Sequence, residues 1–134
     1  MRLSRRSFLK CAALSLGAAG VTYSYLETLN IGVTRLNFGL GSKAAFMVDT
    51  HTHEFGIVEE RVVDILDKEC PEVVLHGGDF IDIFTRSLKP LREYLSLLNA
   101  GEKYAVLGNH DYWSGKTDEL VRLLKDLGFR VLKD

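Results

Sequence analysis

The chain has 134 residues, 46% of them apolar, with 17 basic and 18 acidic side chains, which fits one soluble globular domain plus something extra. Residues 1–10 hold four of the basic groups and no acid, so the remainder carries 13 basic against 18 acidic groups. A mildly acidic body without a basic stripe argues against nucleic acid as a main partner, and two cysteines, Cys11 and Cys70, give neither a disulfide framework nor zinc spacing.

Residues Met1–Lys10 form a basic start, and the small and apolar run Cys11–Val21 follows. This is the layout of a signal peptide, with an apolar run too short for a membrane span. Ser4-Arg5-Arg6-Ser7-Phe8-Leu9-Lys10 resembles the twin-arginine export signal, which sends folded, often metal-loaded proteins across the membrane. The resemblance implies a periplasmic or otherwise extracytoplasmic location. Ala18-Ala19-Gly20 offers small residues for cleavage, and an uncleaved segment would serve as a membrane anchor. Residues 1–27 are therefore separated from a domain over 28–134.

Alternation of Ile31, Val33, Leu36 and Phe38 suggests a lead-in strand over 31–38. Ala44–Val48 reads as a short buried strand that delivers Asp49-Thr50-His51-Thr52-His53. Val58, Val62, Ile65 and Leu66 recur at helical spacing, giving a helix over Val58–Glu69 that Pro71 closes. Val73–Leu75 is the next strand and runs into His76-Gly77-Gly78-Asp79-Phe80-Ile81-Asp82. Leu88, Leu91, Leu95 and Leu98 mark a second helix, with Pro90 tolerated in its first turn. Tyr104–Leu107 is a third strand, ending on Gly108-Asn109-His110-Asp111. A third helix starts at the N-cap Thr117, carries Leu120, Leu123, Leu124 and Leu127 on one face, and stops at Gly128. Phe129–Leu132 begins a fourth strand.

The order β-α-β-α-β-α-β implies right-handed crossovers and a largely parallel sheet. Ligands of such sheets gather beyond the carboxyl ends of the strands. Asp49 with His51, Asp79, and Asn109 with His110 all stand at such ends. Asp49 to Asp79 and Asp79 to Asn109 are each 30 residues, one βα repeat, so three turns can point at one place. Carboxylate, imidazole and amide oxygens suit divalent cations.

Asp49-Thr50-His51, Gly78-Asp79-Phe80-Ile81-Asp82 and Gly108-Asn109-His110-Asp111, in this order and at these intervals, resemble the calcineurin-like metallophosphoesterases. The resemblance covers residues 44–134 and implies the N-terminal half of a four-layer α/β/β/α sandwich. It implies a phosphoesterase that hydrolyses phosphomonoesters or phosphodiesters with a metal-bridging hydroxide and two divalent ions of the Mn, Fe or Zn type. Asp49 and His51 would bind the first metal, Asp79 would bridge both, and Asn109 would bind the second. His110 would contact the phosphate and stabilise the leaving group, with Asp111 orienting its ring, and Asn109 would also face substrate. Gly77, Gly78 and Gly108 would let backbone come close to the site. More loosely, the lead-in Tyr23-Ser24-Tyr25-Leu26-Glu27 is similar to that of exported phosphodiesterases of this family. Asp82 is either a group supporting the ligands or a carboxylate at a helix start. The family's later histidines, one alone and one Gly-His-x-His turn, have no counterpart here. The chain stops inside the predicted fourth strand, so a fragment or a truncated, inactive exported protein is the expectation for this sequence alone.

Asp49-Thr50-His51-Thr52-His53 also resembles the His-x-His opening of barrel metallohydrolases, including metal-dependent deoxyribonucleases and PHP-type phosphatases. That fold expects about 250 residues and gives no account of the two later motifs. On the calcineurin-like reading His53 is a rim or substrate-side residue and His76 a satisfied histidine at a strand end. Phe80, Phe84, Tyr112 and Trp113 follow the metal turns as core or rim, and Tyr112 and Trp113 are candidates to line an apolar pocket.

Overall fold

A computed structural model describes residues 5–39 and 41–133; residues 1–4, Leu40 and the terminal Asp134 lie outside it. The chain divides into two compact units, residues 1–34 and 35–134. In the first, α1 (Arg5–Thr28) is one 24-residue helix with exposed Phe8, Leu14, Val21 and Tyr23. Among the described residues, no helix is long and apolar enough to cross a membrane. Ser4 of the export-like motif is outside the description, and Arg5 and Arg6 open the helix.

The second unit runs β1 (Ala44–Met47), α2 (Ile57–Glu69), β2 (Val73–His76), α3 (Lys89–Ser96), β3 (Glu102–Ala105), α4 (Asn109–Trp113), α5 (Thr117–Asp126) and β4 (Phe129–Val131). The four strands form one sheet in the order β1-β2-β3-β4, every pair parallel. This is the mixed α/β arrangement with a parallel sheet that the hydrophobic periodicity implies. Sequential order makes each strand the neighbour of the one before it. Successive right-handed crossovers that step in one direction put their helices on one face.

The side-chain alternation of the strands agrees with that. Ala45, Val74, Lys103 and Phe129 align across one face, and Met47, His76, Ala105 and Val131 align one step further on. Val74, Ala105 and Phe129 join Leu66, Leu91, Leu95, Leu120 and Leu124 in the core. On the other face Phe46, Leu75, Tyr104 and Arg130 align. Phe46 there is 70% exposed and Leu75 36%, so the core lies on one side of the sheet only.

Several boundaries move. The third strand is Glu102–Ala105, not Tyr104–Leu107; its apolar end, Val106 and Leu107, continues as loop although the Val106 amide still donates to the His76 carbonyl at 3.0 Å. Thr117 is the first helical residue of α5 rather than its cap, and its hydroxyl donates to the Asp111 carbonyl at 3.2 Å. The lead-in strand over 31–38 is absent from the sheet. Val33, Leu36 and Phe38 are exposed, and alternation without a neighbouring strand to pair with does not make a strand. Helix α2 ends at Glu69, as its sequence suggests, with Cys70 between it and the proline: Cys70 takes a left-handed conformation (φ 47°) and its amide closes on the Leu66 carbonyl at 2.8 Å. Cys11 and Cys70 are both free thiols.

Candidate metal centre

The parallel ladder does not stop where the strands do. Gly77 N–H donates to Met47 O (2.8 Å), Asp49 N–H to Gly78 O (3.1 Å), His51 N–H to Asp79 O (3.0 Å) and Thr52 N–H to Phe80 O (2.8 Å). These bonds tie the loop after β1 to the loop after β2, residue by residue. Within this ladder Asp49 (φ 56°), His51 (φ 39°) and Asp79 (φ 57°) hold left-handed backbone conformations. Each costs about 1–3 kcal/mol in a residue with a side chain and persists only where surrounding bonds impose it. Among the described residues Cys70, at its helix end, is the other non-glycine of this kind. Strain is thus concentrated at three of the residues expected to bind metal.

The loops after β2 and β3 are joined by side chains. Asp111 is fully buried, and its Oδ2 accepts from the amides of Asp79 (2.8 Å) and Gly108 (2.9 Å) while Oδ1 accepts from Ile81 (3.0 Å). In return, the His110 amide donates to Asp79 Oδ1 at 2.8 Å. Burial pushes the Asp111 carboxyl above its ordinary range, opposed by the amides of Gly108, Ile81, Asp79 and Phe80. The partners of the Asp111 carboxylate are backbone amides. Neighbouring residues of a helix point about 100° apart and do not face one another, and the carboxylate is taken up by backbone donors. The reason for an aspartate at this position is loop closure.

Two close approaches make the glycines necessary. A Cβ on Gly108 would stand 2.1 Å from Asp79 Oδ1, and one on Gly78 (φ 99°) would stand 2.4 Å from Gly108 N. A Cβ on Gly77 would meet the Phe46 ring at 3.0 Å, closer than such contacts usually are. The backbone therefore packs against the Asp79 carboxylate on one side, with no room for a side chain.

What these loops bring together is a group of three potential ligands. His51, Asp79 and His110 each offer an atom, and the three atoms lie within 4.8 Å of one another. The His51 and His110 rings meet edge to face with centroids 4.8 Å apart. Asp49 is not among these three, and Asn109, the first residue of α4, is exposed. His110, expected on the phosphate rather than on a metal, stands among the ligands. His51 Nδ1 is buried and has no hydrogen-bond partner, lying 3.6 Å from Asp82 Oδ2. An imidazole–carboxylate–imidazole set of this kind fits a divalent cation.

Asp82 supports the set. Its Oδ1 accepts from the Phe84 amide (2.8 Å) and the Thr85 hydroxyl (3.3 Å), and its Oδ2 lies 3.1 Å from His53 Nε2. Burial raises its pKa, but the Phe84 amide, nearby His53, the Thr85 hydroxyl and His51 outweigh it and hold the carboxyl below its ordinary range. His53, half exposed, thus stands at the rim as a partner of Asp82. The Thr50 contact with His76 was not legible in advance. His76 is 2% exposed, stacks on Phe80 with centroids 3.6 Å apart, accepts from the Gly78 amide at Nδ1 (3.2 Å), and has Nε2 3.2 Å from the Thr50 hydroxyl. Accepting at Nδ1 leaves the proton of the neutral ring on Nε2, which donates to Thr50.

Burial, partly offset by Asp79, lowers the His76 pKa from 6.5 to about 3. A folded-state pKa below the unfolded one means stability is fully present above pH 6.5 and drains as pH falls toward 3. About 2 to 3 kcal/mol should be lost between pH 7 and 4.5 through this ring. Urea unfolding of wild type and His76→Asn across that range checks it: the gap between them should narrow by that amount, and parallel curves would contradict the assignment.

The comparisons with known proteins agree with this geometry. Residues 43–132 match the family model described as calcineurin-like phosphoesterase. An uncharacterized metallophosphoesterase of Aquifex aeolicus (strain VF5) is 31% identical over 131 residues, which is 90% of this chain and 48% of that protein. The chain thus spans about half the length of this curated relative. No solved structure matches. With the matched region enclosing all three loops of the centre, the chain belongs to the calcineurin-like phosphoesterase family.

Proposed function

We propose that this chain carries the N-terminal part of a dinuclear metallophosphoesterase that hydrolyses phosphate esters. The observation that carries the proposal is the convergence of His51, Asp79 and His110 within 4.8 Å at the ends of consecutive parallel strands. Asp49 and His51 would hold one divalent ion and Asn109 the other, with Asp79 between them. Such ions, when bound, make water nucleophilic at neutral pH and offset phosphate charge. The protein's own contribution is positioning. Asp79 is fixed by the His110 amide and by the glycine backbone behind it, and His51 is fixed through its own amide. His110 would contact the phosphate and stabilise the leaving group.

With Mn²⁺ added, hydrolysis of a bis-aryl phosphodiester should be abolished by a chelator and restored by metal. His51→Ala and Asn109→Ala should each lower kcat/KM by about a hundredfold. Turnover that ignores the metal, or survives both substitutions, would sink the mechanism.

The N-terminal segment is proposed to direct export by the twin-arginine route, on the strength of Arg5-Arg6 ahead of an apolar stretch. Changing both to lysine should leave the chain in the cytoplasm, read by cell fractionation; unchanged export would refute it.

A further inference from the structure

Beyond the candidate ligands, one more side-chain pair joins the loops after β1 and β2. The backbone ladder between these loops runs as far as Thr52 N–H on Phe80 O. The next link outward is made by side chains, with His53 Nε2 3.1 Å from Asp82 Oδ2. Asp82 is held at both of its oxygens. Oδ1 accepts from the Phe84 amide and from the hydroxyl of Thr85, which is itself buried. With Oδ1 fixed, the contact with His53 leaves the carboxylate no freedom to turn. Oδ2 then also faces a second imidazole, because His51 Nδ1 lies 3.6 Å from it, buried and without a hydrogen-bond partner. One carboxylate oxygen thus stands between a rim histidine and a histidine of the candidate ligand set.

We infer that His53 is a positioning residue of the metal centre, acting through Asp82 on the ring of His51. The inference rests on the metal-binding part of the phosphoesterase reading. A histidine that binds a metal through one ring nitrogen usually donates its other N–H to a carboxylate, which fixes tautomer and ring orientation. Asp82 faces Nδ1, so the proton belongs there and Nε2 is the nitrogen left for a cation. The His53 side chain is 46% exposed, and pairs so open to water add little to stability. The effect of the pair is therefore local: it decides where Oδ2 points, not whether the domain folds. His53 does this without being a ligand, since the compact group among the described residues is His51, Asp79 and His110.

Calorimetric titration of the 134-residue chain with Mn²⁺ tests the inference as a double-mutant cycle. Asp82→Ala should weaken binding at least about tenfold, and His53→Ala by about three- to tenfold. His53→Gln, whose amide can still donate to Oδ2, should restore most of that loss. With Asp82→Ala already in place, His53→Ala should change nothing further. An equal loss in both backgrounds would make His53 a ligand in its own right and overturn the inference. A His53→Ala protein that binds Mn²⁺ like wild type would overturn it too. Heteronuclear NMR of the imidazoles in metal-free wild type, above the titration range of histidine, gives a second readout that does not depend on the folding of Asp82→Ala. His51 should carry its proton on Nδ1, and a proton on Nε2 would overturn the inference. Mn²⁺ binding that obeys the cycle in a protein without metal-dependent hydrolysis would support the positioning role while refuting the phosphoesterase reading. A wild type that binds no Mn²⁺ would overturn both.

Discussion

Asp111→Ala should unfold this domain or come close to it. Three backbone amides, those of Asp79, Ile81 and Gly108, would lose their acceptor together, in a place where the aspartate side chain has no exposure at all. A buried donor left without a partner costs about 1–3 kcal/mol, so the three sum to more than about 4 kcal/mol, a large share of the 5–15 kcal/mol typical of a domain. Asp111→Asn is the informative companion. With its oxygen at the Oδ2 position it keeps the Asp79 and Gly108 amides, but its NH₂ then confronts the Ile81 amide, donor against donor. We expect about 2 kcal/mol of destabilisation for it. Urea denaturation followed by circular dichroism orders the three proteins. If asparagine is as damaging as alanine, the negative charge matters more than the acceptor geometry; if alanine is mild, the clamp is not what holds the loops.

Gly108→Ala should strike stability and metal binding together. The new Cβ would fall 2.1 Å from Asp79 Oδ1 and 2.7 Å from the Asp79 amide nitrogen, so the Asp79 carboxylate must move. That breaks its bond from the His110 amide and strains a packed turn, for about 2–4 kcal/mol in all. Mn²⁺ affinity should fall at least about tenfold, since the displaced group belongs to the ligand set. Gly115→Ala is the control. Gly115 has φ 71° with open space around it, so alanine there should cost only about 1 kcal/mol of backbone strain and leave the Mn²⁺ isotherm unchanged. Calorimetric titration of both variants decides whether space at Gly108, rather than a glycine lost anywhere, controls the site.

Much of this domain was legible in its amino-acid order, for identifiable reasons. Leu91, Leu95, Leu120 and Leu124 sit at helical spacing, and all four are fully buried. The interval of 30 residues between turns reflects one βα unit, and it foresaw loops that converge. Three things escaped the pattern. Ile31 and Val33 alternate like a strand, yet pairing depends on a neighbour that local sequence does not specify. The role of Asp111 could not be read from its place beside His110, because adjacency in a helix is not adjacency in space. Thr50 and His76 are 26 residues apart, and their contact exists only because β1 and β2 lie side by side. A satisfied histidine at a strand end, ahead of two glycines, was nonetheless the expected reading of His76.

The strand order has a temporal side. Ala44 pairs with Val73 and Val73 with Glu102, so each new strand docks on one made about 29 residues earlier, and loop closure stays inexpensive. A chain emerging from the ribosome can add one strand and its helix at a time. The reactive end of the sheet cannot be finished in that piecemeal way. Asp79 and Ile81 are synthesised some 30 residues ahead of the carboxylate that receives their amides, so the ligand loops stay loose until β3 has joined. Assembly of the end that carries His51, Asp79 and His110 is therefore a late event in the life of each molecule, well after its first strands have formed.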